Sequence, residues 1–218
     1  MSTPQITTIT TMYGDGRLEV HAAEAPIATV LLSHGAGNGI ETHDLQALAS
    51  ALPAEGISVA LFEQPWRVAG RPVASAPATL DVGLTAAAEA LAVTSPLIVG
   101  GRSAGARSAA RTATSLGAVG CLALAFPLHP PGKPEKSRVA ELLGAGVPTL
   151  VIQGERDPMG RPDEFPGQAG AIDLVVVPAA DHSLRVGKTG PLDQEEANAI
   201  LVESTLEWLI REVVGTRA

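Results

Sequence analysis

Pro96–Leu97–Ile98–Val99–Gly100–Gly101–Arg102–Ser103–Ala104–Gly105–Ala106 runs from the end of an apolar strand into a helix across a single serine. Ala104 to Ser115 is rich in Ala and free of Pro, as a helix start requires. Gly101–Arg102–Ser103–Ala104–Gly105 has the form G-x-S-x-G. A strand that becomes a helix within one residue forces the central serine into a strained backbone conformation. A Cβ at 101 or 105 would collide across that turn, which gives both glycines a steric cause. The turn lifts the Ser103 hydroxyl off the sheet and aims the Ala104 N–H at the same space, beside the positive end of a helix dipole. In a chain rich in Gly, Ala and Ser, the pentapeptide alone also fits a plain strand-to-helix turn with a bystander serine. The segments around it decide between the two.

Working outward, Ile27–Ser33 and Ile57–Phe62 are continuous apolar runs, the mark of strands covered on both faces. Val119–Phe126, Val147–Gln153 and Ile172–Val177 read the same way. Between them, Glu41–Ala54 carries Leu45, Leu48, Ala49 and Leu52 at helical spacing, Leu80–Val93 is an Ala-rich helix, and Ser137–Leu143 is a short one. The closing helix begins near Asp193 with Glu196 three residues on, a capping-box arrangement. It places Ala197, Ile200, Leu201, Ser204 and Trp208 on one face. Gln5–Thr11 and Arg17–Ala22 flank Tyr13–Gly14–Asp15–Gly16 and predict an antiparallel edge hairpin. Glu63–Pro77, with its prolines, arginines and Trp66, lacks periodicity and reads as a loop over the carboxyl end of the sheet. The alternation predicts an α/β class with a mostly parallel, doubly wound sheet, in which ligands sit beyond the strand carboxyl ends.

Bulk composition narrows the field. A length of 218 residues suits a single domain spanning 1–218, and 45% apolar residues supply a core. The net charge of −8, without a basic run, argues against nucleic acid or an anionic membrane as partner. Cys121 is alone, so no internal disulfide is possible and no thiolate metal cluster is expected. Neither a signal-like h-region nor a membrane-length apolar window is visible, so a cytoplasmic location is the default expectation.

A serine hydroxyl needs a base within hydrogen-bond reach to act as a nucleophile. Of five histidines, His129 and His182 follow strands; His182 follows the last one and is the expected base. The imidazole in turn needs a carboxylate. Asp157, four residues past Val147–Gln153, is the first choice, with Glu155 and Asp163 as alternatives and Asp181 disfavoured as a sequence neighbour. The loop His34–Gly35–Ala36–Gly37–Asn38–Gly39 lacks the Lys–Ser/Thr of a P-loop and the spacing of a dinucleotide site. His34 is expected to brace that loop. Without His-x-His or H-E-x-x-H spacing, no metal is expected.

The order Ser103…Asp157…His182 is that of the α/β-hydrolase fold. Ser33–His34–Gly35–Ala36–Gly37–Asn38, Arg67 with Ala69–Gly70–Arg71, Gly101–Arg102–Ser103–Ala104–Gly105, Pro127–Leu128–His129–Pro130–Pro131–Gly132, Gly154–Glu155–Arg156–Asp157 and Asp181–His182–Ser183 extend the likeness over nearly all of the chain after residue 25. Jointly they resemble a small, lidless α/β-hydrolase similar to dienelactone-hydrolase-like proteins. The resemblance is closer still to the branch that includes a subunit of an animal chromatin-modifying complex, the nonspecific-lethal complex. Ala104 departs from that branch, which usually has Met there.

The resemblance implies an α/β-hydrolase fold without a separate lid domain. It implies a serine hydrolase acting on a small ester, lactone or thioester, with no cofactor. A non-catalytic scaffold on the same fold is the alternative. An oxyanion hole on this fold combines the N–H after the nucleophile with one from an earlier strand's loop, which assigns Ala104 and Ala36, with Gly37 as second choice for the latter. Gly35, Gly37, Trp66, Arg67, Arg102 and His129 are expected to line the pocket, where the cations among them, with Arg71 and Lys133, would meet an anionic substrate end unless they sit in ion pairs.

Overall fold

The apolar runs lie side by side in one eight-stranded sheet in the computed structural model, which describes residues 3–72, 74–166 and 172–215. The strands are β1 (Gln5–Thr11), β2 (Gly14–His21), β3 (Ala28–Ser33), β4 (Ile57–Glu63), β5 (Leu97–Arg102), β6 (Gly120–Leu124), β7 (Thr149–Gly154) and β8 (Ile172–Val177). Their spatial order is β1-β2-β4-β3-β5-β6-β7-β8. β1 pairs antiparallel with β2, and β2 antiparallel with β4; every other neighbouring pair is parallel. The helices are α1 (His43–Ala51), α2 (Pro65–Val68), α3 (Pro77–Leu91), α4 (Ala104–Thr112), α5 (Val139–Leu143) and α6 (Gln194–Leu209).

The period of two along a strand sorts the apolar side chains between two cores. Val30 and Leu32 of β3 join Leu45 and Leu48 of α1 and Leu201 and Trp208 of α6. Leu31, between them in sequence, joins Leu84 of α3, Ala106 and Ala109 of α4 and Leu142 of α5. Two helices thus cover one face and three the other, the doubly wound arrangement that the alternation predicts. The inward face of α4 is alanine (Ala106, Ala109 and Ala110), so its axis lies close to the sheet, which the turn at Ser103 requires. Cys121 is fully buried in the second core, where desolvation pushes its thiol up to about 12. Among the described residues no helix is long and apolar enough to cross a membrane.

Two local expectations need correction. The hairpin is tighter than its glycines suggest: Thr11 pairs with Gly14, leaving Met12–Tyr13 as the turn. Gly16 lies within β2, where a Cβ would meet the Phe62 ring at 2.5 Å. The run 63–77 is not wholly irregular, since Pro65 starts the single-turn helix α2 and Pro77 opens α3 three residues before the expected start. Proline at a helix start has its missing N–H where no intrahelical partner exists.

Asp193 caps α6: its side chain accepts from the Glu196 N–H at 2.9 Å, and Glu196 accepts from the Asp193 N–H at 2.8 Å. Asp193→Ala removes one half of this reciprocal cap and is expected to destabilise the fold by about 1 kcal/mol, read as a lower urea midpoint with an unchanged m-value.

Candidate active site

Ser103 adopts φ 52° and ψ −108°, a conformation L residues rarely take. The strain is imposed from both sides. A Cβ on Gly105 would come within 2.8 Å of the His34 carbonyl oxygen and closer still to that of Ser33. One on Gly101, whose φ is 158°, would overlap Ser33 and the backbone of Gly105. The Ser103 N–H donates to Leu124 at 2.9 Å, which ties the turn to β6.

Ser103 Oγ lies 2.9 Å from His182 Nε2. On the other side of the ring, Nδ1 lies 2.7 Å from Asp157 Oδ2. An ionised carboxylate only accepts, so Nδ1 carries a proton; in the neutral ring Nε2 then turns its lone pair to the serine hydroxyl. Asp157 is completely buried, and its Oδ1 accepts from the Met159 N–H at 2.8 Å. Ser103 and His182 remain partly accessible. The other acids considered stay apart from the imidazole: Glu155 accepts from the Ala179 N–H at 2.6 Å, and Asp163 lies in a short 3-10 turn.

The loop bearing His182 is held through three successive carbonyls. Arg102 Nη2 donates to that of His182 at 3.3 Å, His43 Nε2 to that of Ser183 at 2.9 Å, and Gln194 Nε2 to that of Leu184 at 3.1 Å. Leu184 itself is buried in the α1–α6 core. Anchored at both its backbone and a core side chain, the loop presents its imidazole without needing a partner molecule.

The loop after β3 runs directly beside the serine. A Cβ on Gly35 would sit 3.4 Å from Ser103 Cβ, whereas one on Gly37 would meet only open space. Ala36 is exposed, and neither its N–H nor that of Ala104 donates to a backbone acceptor among the described residues. His34 braces this loop. Its Nε2 accepts from the Gln64 N–H at 3.0 Å, so Nδ1 donates to the Gly35 carbonyl at 2.7 Å. Burial pushes its pKa below the ordinary 6.5.

The residues expected to line a pocket are placed differently. Trp66 is 3% exposed, with its ring centroid 5.5 Å from that of His34, so it supports the loop from within instead of walling a substrate cavity. Arg102 is not a free cation: its Nε lies 3.0 Å from Oδ2 of the fully buried Asp44, although the N–H is not aimed squarely at the oxygen. Arg67 pairs with Glu41 at 3.3 Å, and Glu41 also accepts from the Gly39 N–H. His129 donates to the Pro130 carbonyl at 2.9 Å and to Glu164 Oε2 at 2.8 Å. Those two acceptors raise its pKa, the Pro130 carbonyl most. Each of Arg102, Arg67 and His129 therefore has an acidic partner. Sequence reasoning missed Asp44, Gln64, Gln153 and Gln194: the partners of Asp44 and Gln64 lie far away in the chain, and those of Gln153 and Gln194 sit in turns whose fold no periodicity marks. Among the described residues no cluster of three or more His, Cys, Asp or Glu could hold a metal ion.

A sheet of this topology, with a strained serine beyond its fifth strand, defines the α/β hydrolases. The sequence matches the α/β-hydrolase domain family over residues 26–209, and the chain belongs to that family. Its fold is also that of several solved structures. An α/β serine hydrolase without a lid from Xanthomonas campestris is 21% identical, with a TM-score of 0.70 over 95% of this chain and 96% of that one. A dienelactone hydrolase from Anabaena variabilis is 16% identical, with a TM-score of 0.73 over 97% and 99%. An α/β serine hydrolase homologue from Coxiella burnetii is 16% identical, with a TM-score of 0.70 over 98% and 99%. No curated protein matches the sequence.

The lowered pKa of His34 has a thermodynamic consequence. As pH falls below about 6.5 the unfolded chain binds a proton at this histidine and the folded chain does not, so stability is lost by up to about 1.4 kcal/mol per pH unit until the folded pKa is reached. Urea midpoints of the wild type and His34→Gln between pH 7.5 and 5 are expected to converge on acidification, because only the wild type carries this contribution.

Proposed function

We propose that the protein is a serine hydrolase that cleaves a small carboxylic ester, lactone or thioester through an acyl-enzyme. The observation that carries this reading is the continuous chain Ser103 Oγ–His182 Nε2, His182 Nδ1–Asp157 Oδ2, at 2.9 and 2.7 Å, across the carboxyl edge of the sheet. Ser103 Oγ attacks the carbonyl carbon while His182 Nε2 takes the hydroxyl proton. The oxyanion that forms is held by the N–H groups of Ala104 and Ala36, each such donor contributing roughly 2.7–4 kcal/mol. Collapse of the adduct breaks the bond to the leaving group, which takes the proton back from His182. Water then attacks the acyl-enzyme, losing its proton to His182, and the acid departs as Ser103 recovers a proton. Asp157 orients the imidazole and balances its charge when protonated. The chemistry needs no cofactor.

Access to Ser103 is consistent with a small, soluble substrate. Between β6 and β7 the chain carries only the five-residue α5. The pairing of Arg67, Arg102 and His129 with acids removes the main reason to expect an anionic substrate end. The likeness to the branch containing a chromatin-complex subunit rests on the shared motifs and supports the same fold with or without turnover.

A fluorophosphonate probe decides between enzyme and scaffold. The wild type is expected to be labelled, and Ser103→Ala not at all. With p-nitrophenyl esters of increasing chain length, kcat is expected to fall about 10³-fold or more in Ser103→Ala and about 10²–10⁴-fold in Asp157→Asn, which offers Nδ1 the wrong partner. An unlabelled, inactive wild type would leave the scaffold.

A further inference from the structure

Gln153, in β7, is completely buried, and its hydrogen bonds go to neither Ser103 nor His182. One hydrogen of its amide goes to Asp157 Oδ2 at 2.7 Å and the other to the Gly160 carbonyl at 2.8 Å. A carboxylate and a carbonyl only accept, so the NH2 end must face both, and the orientation of the amide is fixed by its partners. That leaves Oε1 buried with no partner. An orphaned buried oxygen destabilises a fold, whereas an apolar side chain of the same shape would carry no such penalty. The oxygen of the amide therefore gives no reason for a glutamine here. Its two donated hydrogen bonds do.

Those bonds close both ends of the turn 157–160. Gly160 lies at φ 151° under Leu128, and its N–H donates to the Asp157 carbonyl at 3.3 Å. Asp157 Oδ1 is held by the Met159 N–H, so Oδ2 is the oxygen shared between Gln153 and His182. We propose that Gln153 is a positioning residue that orients Asp157 Oδ2 toward His182 and, by taking up part of its charge, sets how strongly it draws on the imidazole proton. This rests on the reading of Ser103, His182 and Asp157 as the catalytic set.

Gln153→Met keeps the shape and removes both donors. More charge then remains on Oδ2, the imidazolium is favoured, and a higher pH is needed to free Nε2. The acidic limb of the kcat/KM profile is expected to move to higher pH, with kcat down about tenfold and KM little changed. The low-field NMR resonance of the His182 Nδ1 proton is expected to shift with it. The melting temperature falls as well, because the Gly160 carbonyl and Asp157 Oδ2 each lose a donor, so the acidic limb and the Nδ1 resonance, not the melting temperature, read the positioning role.

An acidic limb, kcat and Nδ1 resonance all equal to the wild type would overturn the proposal. So would a large loss of melting temperature with the limb and resonance unmoved, which is what a purely structural role predicts. If Gln153→Met does not fold, Gln153→Glu carries the test, because its protonated carboxyl can still donate to Asp157. Its activity is expected to fall as rising pH removes that proton, and a wild-type profile would overturn the proposal. Fluorophosphonate labelling of the wild type reports the enzyme reading separately. If that fails, the Nδ1 resonance in Gln153→Met still reads the effect of Gln153 on the Asp157–His182 pair.

Discussion

The end of β3 and the first turn of α4 approach more closely than any side chain allows, and the carboxyl edge of the molecule depends on that approach. The carbonyls of Ser33 and His34 occupy the space a Cβ on Gly105 would need, and that of Ser33 the space of one on Gly101. With α4 pressed so close, the single residue between strand and helix must absorb the whole change of direction, and Ser103 does so at φ 52°. Such backbone costs about 1–3 kcal/mol and persists only where surrounding packing over-determines it. Here the parallel pairing of β3 with β5 and the alanine face of α4 supply the packing. The same contact lays the His34–Gly39 loop against the serine, so one steric constraint sets both the hydroxyl and the amides beside it.

Burial and the partners that face each group together set the charge state of what surrounds this turn. His34 and His129 both expose little surface, yet they are driven in opposite directions. At His34 burial is the main cause of the lowered pKa, and one ring nitrogen also accepts from the Gln64 N–H, which leaves no room for a second proton there. At His129 both nitrogens face acceptors, the Pro130 carbonyl and Glu164, which favours the doubly protonated ring. Burial alone does not predict the sign; the donor or acceptor facing each nitrogen does. The Arg102–Asp44 pair follows the same rule. A fully buried carboxylate requires a cation close by, and Arg102 also holds the loop of His182 through its carbonyl.

Much of this was legible in the sequence because it is local. An apolar run such as Ile27–Ser33 needs no partner to be read as a covered strand, and the glycines at 101 and 105 announce the turn between them. The chain order of Ser103, Asp157 and His182 follows from which strand each residue trails. What stayed hidden depends on distant pairing. Nothing near Arg102 in sequence shows that Asp44 will lie beneath it, so it reads as a rim cation. Trp66 reads as a pocket wall because helix α2 has one turn and no period to reveal that the indole faces inward onto His34.

The glutamines illustrate a further limit, since an amide in a sequence looks like surface. Gln64 donates through Nε2 to Ser33 Oγ and the Leu80 carbonyl, Gln153 to Asp157 and Gly160, and Gln194 to Leu184 and Asn198. Each fastens one segment of the site: the end of β3, the turn of Asp157, or the loop of His182. A lysine or arginine could donate as many hydrogens, but at 64 it would bury a charge beside Ser33 that needs an ion to balance it, and at 153 it would pair with Asp157 and weaken the hold of that carboxylate on the imidazole. An amide fixes geometry while leaving the field at the serine to Asp157 and the imidazole. At Gln64 and Gln153 the unpartnered Oε1 shows that the donors, and not full satisfaction of the side chain, determine how the residue is placed.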